Sequence, residues 1–185
     1  MSATPLLQRT LRTESLLLRS LTEDDCTQTY LDWLDDLEIK RFLETRHTAQ
    51  SVEAIRTFVA AVNASPVEFL YGICVHADSD RHIGNIKVGP IKHPHPLADV
   101  SLLIGARDCW GKGYGTEAIQ AVSREAFARW GVRKLSASIY APNIGSTKAF
   151  LAAGYQQEGL RRSHYLLEGT MTDLVELGAV EEDVV

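Results

Sequence analysis

Arg107-Asp108-Cys109-Trp110-Gly111-Lys112-Gly113-Tyr114-Gly115-Thr116 sets three alternate glycines between a short aliphatic stretch and a long helical pattern. Glycine has no Cβ, so such a loop lets the backbone come close to a ligand. The helix that follows begins with N–H groups that have no intrahelical acceptor, and its dipole adds partial positive charge, so an anion fits that end. Glycines also serve tight turns into helices with no ligand involved. Two phosphate loops are excluded by spacing. The Walker A order, GxxxxGK followed by Ser or Thr, fails because five residues separate Gly105 from Gly111 and Gly113 follows Lys112. The dinucleotide fingerprint fails because Thr116 stands where its third glycine belongs.

The helix after this loop is the clearest in the chain. Ala118, Ile119, Val122, Ala126 and Phe127 share one face over 114–130, and Gly131 ends it. On either side, 99–104 and 135–140 read as strands, so strand, long helix and strand form a crossover that makes a parallel pair. Other strands are joined by short turns. The stretch 67–75 and the stretch 82–91 flank turn residues 77–81 as an antiparallel hairpin. Residues 155–167 and 171–178 flank a Glu168-Gly169 turn as another. Upstream, 16–21 suits a first strand. Thr22 with Asp25 gives a capping-box start for a helix to about residue 34, and 51–63 carries Val52, Ile55, Val59 and Val62 at helical spacing. A short helix at 144–153 closes at Gly154. The fold class is therefore α+β, with a mixed, mostly antiparallel sheet of about seven strands and flanking helices, not a doubly wound nucleotide fold.

Composition fits one domain over 1–185, with a core over about 14–178, a short N-terminal extension and an acidic, solvated tail at 181–185. The chain has 185 residues, 45% hydrophobic and 23% charged, and a net charge of −5, which argues against a nucleic-acid partner. Cys26, Cys74 and Cys109 are an odd number without metal-type spacing, which suits reduced thiols in a cytoplasmic protein. Residues 1–13 lack the apolar core of a signal peptide, and no stretch matches a membrane span. His93-Pro94-His95-Pro96 offers two histidines without a carboxylate or thiolate at fixed spacing, so it reads as a rigid loop and no metal is expected.

A second motif follows the crossover: Tyr140-Ala141-Pro142-Asn143-Ile144-Gly145-Ser146-Thr147-Lys148-Ala149-Phe150, then Gly154-Tyr155. With the glycine loop, it resembles the GCN5-related N-acetyltransferases (GNAT), and within them the RimJ/RimL-like branch that modifies protein N-termini and small amines. The family's loop pattern, Gln or Arg, two residues, Gly, one residue, Gly or Ala, is met at Gly113 and Gly115; Trp110 departs from its first position, in a Trp-Gly-Lys-Gly-Tyr form similar to that branch. An Asn after the fifth strand, a small or hydroxyl residue three positions on, and a Gly-aromatic pair after the short helix complete the likeness.

The resemblance implies acetyl-CoA as co-substrate, an amine acceptor and direct attack without a covalent enzyme intermediate; homodimers are common in the family. It places the pyrophosphate on backbone N–H groups of Gly111, Lys112, Gly113, Tyr114, Gly115 and Thr116, with Trp110 beside them, and the oxyanion on an amide of the fourth strand near Leu103 or Ile104. Asp99 stands where relatives carry a Glu base, although a strand-start Asp also serves as a surface charge. His164 is the second base candidate, with a structural histidine as its other reading. Phe150 occupies the place where many relatives hold a Tyr acid, which leaves Ser146 to protonate or hold the thiolate, or else to cap its helix, with Tyr155 a remoter candidate. Asn143 supports the pantetheine arm or the strand geometry, and Lys148 lies near a CoA phosphate or is simply solvated. Trp33 and Phe42 shape the acceptor side or pack in the core, and Cys109 has no His partner to make it a nucleophile. The acceptor is read as a protein N-terminus or a small amine such as a nucleotide-linked amino sugar; the other class of function is a non-catalytic acyl-CoA sensing module.

Overall fold

Alternation of apolar residues on the strands gives a sheet with two buried faces, and a helical layer covers each. A computed structural model describes residues 10–184. Its strands are β1 (Thr10–Arg12), β2 (Leu16–Ser20), β3 (Phe69–Val75), β4 (Arg81–Val88), β5 (Leu97–Ile104), β6 (Lys134–Tyr140), β7 (Gln156–Leu167) and β8 (Thr170–Ala179). The helices are α1 (Gln28–Asp35), α2 (Leu37–Lys40), α3 (Val52–Ala64), α4 (Tyr114–Trp130) and α5 (Ile144–Ala152). Among the described residues, eight strands join one sheet in the order β1-β2-β3-β4-β5-β6-β8-β7, and only β5 and β6 run parallel. The eighth strand is β1, which pairs antiparallel with β2 inside the stretch expected to be an extension. The first nine residues of that extension lie outside the described residues. The strand expected to be fourth is accordingly β5.

One core lies between the sheet and α4 with α5, built from residues such as Ile73, Ile86, Val100, Ile119, Val122, Leu135 and Phe150. The other lies between the opposite sheet face and α1–α3, around Leu21, Tyr30, Trp33, Val59 and Leu70. Among the described residues no helix is long and apolar enough to cross a membrane.

Two expectations change. The helix from Thr22 to about residue 34 is divided: Asp25 turns its carboxylate back onto the Thr22 N–H at 2.7 Å and onto Arg19, closing a 3-10 turn at Glu23–Asp25. Thr27 then caps α1 afresh by accepting from the Tyr30 N–H. The tail is not a solvated appendage. Val184 is buried in the first core, the Asp183 carboxylate accepts from the Gln156 amide at 2.6 Å, and Gly154 is packed so closely on the Asp183 carbonyl that a Cβ there would overlap it. Val185 lies outside the described residues.

The feature that positions a site is the β5/β6 pair. The two strands are in register only over Leu97–Asp99 against Lys134–Ser136. Beyond that point they diverge, because the rest of β5 stays with β4 while the rest of β6 stays with β8. A wedge opens between Val100–Ile104 and the end of β6.

Candidate active site

The direction of each backbone group along β5 follows from strand alternation. Gly89 N–H donates to the Asp99 carbonyl and Gly105 N–H donates to the Ile83 carbonyl, so the odd-numbered residues of β5 turn their polar groups toward β4. Leu102 and Ile104 therefore turn theirs into the wedge. The Trp110 indole confirms this side, since its Nε1–H reaches the Ile104 carbonyl at 2.8 Å. Of the two expected oxyanion donors, Ile104 presents its N–H to the opening, whereas Leu103 bonds toward β4 and packs its side chain with the α1–α3 core.

At the open end of β5 the glycine loop turns into α4. Gly111 and Gly113 have φ of 73° and 85°, a left-handed backbone that glycine adopts without Cβ strain, and a Cβ at either would meet nothing within 4 Å. These glycines are needed for the path of the chain, not for close packing. Gly113 caps α4 without a side chain, and the first amide to bond back is Glu117, onto the Gly113 carbonyl at 3.1 Å. The amides of Tyr114, Gly115 and Thr116 thus point out of the helix end. Gly115 is pressed inward, where a Cβ would come within 3.1 Å of Leu102 Cδ2 and 3.8 Å of Ala149 Cβ, so this helix end abuts both β5 and α5. These outward amides fit a pyrophosphate, with Lys112 exposed in the same loop, while the loop's arginine is already engaged: Arg107 joins Asp36 at 2.5 Å and Glu38 at 2.6 Å. Arg81 ties Asp108 at 2.6 Å and also Asp78. On the other flank of the helix start, a groove of about 530 Å³ is bordered by Arg12 and Arg124, by Glu14 and Glu117, and by Thr13 and Thr116. Its two arginines lie far apart in sequence, which is why no local pattern marks them.

Across the wedge, Tyr140 leads into α5 through a turn in which Asn143 N–H donates to the Tyr140 carbonyl at 2.8 Å. Asn143 caps α5, its Oδ1 accepting from Ser146 N–H at 3.2 Å. Capping is therefore Asn143's role, and the Ser146 hydroxyl is not needed for it. Lys148 is exposed on the same helix. Phe150 is buried against Tyr155, ring centroids 5.0 Å apart, and the Tyr155 hydroxyl lies 3.0 Å from that of Ser123 beneath α4. Burial pushes the Tyr155 phenol up, and it is removed from the wedge.

The base candidates fall at different places. Asp99 sits at the closed end, where β5 and β6 are still paired, with its carboxylate 2.6 Å from Lys92 Nζ. His164 is exposed on a bulge of β7, its ring 4.6 Å from that of Tyr165, which stacks in turn on Tyr140. Trp33 lies over Gly105, so closely that a Cβ there would overlap the indole, and Phe42 is 6.2 Å from Tyr140. Between them, residues 36–47 pass over the open end of the wedge. Arg107 holds this segment near β5, Arg46 holds it to Tyr140 and the Leu166 carbonyl, and Arg41 holds it to Glu168. Phe42 is expected here from the sequence and Tyr140 only as the start of the second motif; Glu44 and Arg46 carry no local signal, since their partners lie up to 120 positions away.

The family model for the acetyltransferase (GNAT) domain matches residues 15–156. The protein named uncharacterized N-acetyltransferase p20 of Bacillus licheniformis is 27% identical over 168 residues, covering 89% of this chain and 92% of its own. Among solved structures, spermidine N-acetyltransferase from Vibrio cholerae, in complex with CoA and spermine, superposes with a TM-score of 0.80 at 16% identity, covering 92% of this chain and 98% of its own. Mycobacterium smegmatis RimJ, in complex with CoA-disulfide, superposes with a TM-score of 0.79 at 15% identity, covering 90% and 82%.

Proposed function

The chain belongs to the GNAT acetyltransferase family, and from that premise we propose that it transfers the acetyl group of acetyl-CoA to a primary amine by direct attack in a ternary complex. The acceptor in this reading is a protein N-terminus or a small amine, as in the RimJ/RimL-like branch, and the likeness to RimJ and to a spermidine acetyltransferase supports that range. The observation that carries the proposal is the wedge itself, with the outward amides of α4 at one side, the Ile104 N–H along its wall and Ser146 at the start of α5 opposite.

Acetyl-CoA supplies an activated acetyl thioester, and the protein's residues do the rest. The outward amides of Tyr114, Gly115 and Thr116 hold the pyrophosphate with neutral donors, which suits a chain of net charge −5. Ile104 N–H receives the carbonyl oxygen as it gains negative charge. Holding amine and carbonyl in one wedge supplies about 7 to 11 kcal/mol of the barrier through orientation. Ser146 donates a hydrogen bond to the departing thiolate. Asp99 and His164 are the base candidates that the resemblance names, and neither is well placed: Asp99 is paired with Lys92 where β5 and β6 are still joined, and His164 is exposed on the bulge of β7.

The burial of Phe150 favours one competing reading, an acyl-CoA sensor without chemistry, since the usual acid is absent there. Incubation with acetyl-CoA and a panel of peptides and amines, following free thiol, separates the two. Acceptor-dependent thiol release is the expected result. Thermal stabilisation by acetyl-CoA with no acceptor-dependent thiol would show the sensor instead.

A further inference from the structure

Tyr140 is held through both its ring and its hydroxyl. The Arg46 guanidinium lies 5.0 Å from its ring centroid, and the ring of Tyr165 stacks on it at 4.9 Å. The Tyr140 hydroxyl accepts from Arg46 Nη2 at 2.7 Å and donates to Glu44 Oε1. Arg46 is itself anchored, donating also to the carbonyls of Leu43 at 2.9 Å and Leu166 at 3.4 Å, and only 13% of its side chain is exposed. Alternation along β6 places Leu135, Ala137 and Ile139 in the α4 core, so Tyr140 lies on the opposite face, the one roofed by residues 36–47. Three residues after Tyr140 comes Asn143, which caps the helix that presents Ser146.

Glu44 differs from four other carboxylates of residues 36–47 and of the β7–β8 hairpin. Asp36 and Glu38 are held by Arg107, Glu168 by Arg41 and Glu176 by Arg161, each at 3.0 Å or less. Glu44 has its nearest guanidinium at 3.5 Å, uses one oxygen on the Tyr140 hydroxyl, and leaves 63% of its side chain exposed. A carboxylate whose one oxygen is fixed by a clamped phenol presents the other in a set direction. That is the arrangement a primary ammonium needs, since it must be bound and then stripped of a proton before its nitrogen can attack.

Resting on the acetyltransferase reading above, we infer that Glu44 binds the acceptor as its ammonium ion and takes its proton, with Tyr140 and Arg46 as positioning residues. The ammonium passes one proton to the Glu44 carboxylate, which returns it to solvent. The freed lone pair forms the C–N bond; the C–S bond breaks with its electron pair going to sulfur; the second N–H proton goes to the thiolate by way of Ser146. The products are the acetylamide, CoA thiol and one released proton. The acceptor class is then a cationic primary amine on a carrier that tolerates aromatic neighbours, Phe42 and Tyr165 both lying against Tyr140.

The test uses the full chain with acetyl-CoA and four probes: spermidine, tyramine, ethanolamine and a tetrapeptide with a free N-terminal serine. Glu44→Gln should lower kcat/KM at least about 100-fold for each amine the unaltered chain acetylates. Calorimetric affinity for acetyl-CoA should stay within about twofold, and Glu44→Asp should recover part of the rate. Tyr140→Phe, which keeps the ring stack, should lower kcat more than it raises the acceptor KM. If Glu44→Gln acetylates the probes within about threefold of the unaltered chain, the inference is wrong while the enzyme reading stands. Failure of the unaltered chain to acetylate any probe would overturn the acetyltransferase reading and this inference with it.

Discussion

Ser146 is where a single atom decides between chemistry and structure. Because Asn143 Oδ1 already caps α5 on the Ser146 amide, removing the hydroxyl leaves the helix start intact. Ser146→Ala should therefore lower turnover by about 100-fold while acetyl-CoA affinity and melting temperature hold, as steady-state rates beside calorimetry will show. Gly113 predicts the opposite division. Its φ of 85° costs a residue with a Cβ about 1–2 kcal/mol, and open space around it means that no clash adds to this. Gly113→Ala should weaken acetyl-CoA binding about tenfold, read by calorimetry, with little change in kcat at saturation. Both residues were visible in the sequence, because glycine spacing and an Asn three positions before a Ser are local signals. Glu44 was not visible: nothing in Leu43-Glu44-Thr45-Arg46 reveals that its partner is the Tyr at 140.

At the scale of elements, α4 coincides with its expectation to the residue, and the reason is physical. Both ends are set by glycines in the left-handed region, Gly113 at 85° and Gly131 at 66°, so the boundaries are written in the local chain. The segment 36–47 is the contrary case. It carries a four-residue helix capped by Asp36 and a 3-10 turn, with no apolar period, and its course is fixed by arginine pairs to β6, β7 and the loop before α4. Strand β1 escaped notice for a related reason, since three residues of pairing leave no pattern to count. The joint between the α1 layer and the wedge is Trp33 on Gly105, where an added Cβ would fall 2.0 Å from Trp33 Cδ2. Gly105→Ala should cost about 1–3 kcal/mol in denaturant unfolding and raise the acceptor KM more than that of acetyl-CoA, because the indole must shift on the acceptor side.

Across the whole molecule, the sheet face under α1–α3 carries polar groups, partly or fully buried, whose protonation bears on folding. Burial pushes the His82 imidazole down from its ordinary value, against hydrogen bonds to Asn85 Oδ1 at 2.8 Å and the Gly84 carbonyl at 2.9 Å. The unfolded chain then takes up this proton at a higher pH than the folded one. The corresponding stability is fully present above about pH 6.5 and is lost as the pH falls from there toward the lower folded value. Burial raises the Asp25 carboxyl, but Arg19 and Thr22 outweigh it and hold the group at about 2, so its contribution is full above the ordinary carboxylate range and is lost as the pH falls through that range toward 2. Melting temperature should fall between pH 7 and pH 5, and His82→Gln should flatten that slope; an unchanged slope would assign it to other groups. The mixed, mostly antiparallel sheet and the parallel pair between antiparallel hairpins were legible in the chain, since short turns and one long crossover are local facts. The packing of Val184 and Asp183 on Gly154 was not, because an acidic C-terminal run reads as solvated until the sheet gives it a surface.

The central claim is that this wedge joins an acetyl group to an amine. Mass spectrometry of the acceptor after incubation with acetyl-CoA tests it most directly. The account predicts a cationic primary amine or free N-terminus heavier by one acetyl group, formed in step with CoA thiol; acetyl-CoA that binds and stabilises the protein while every amine keeps its original mass would contradict it.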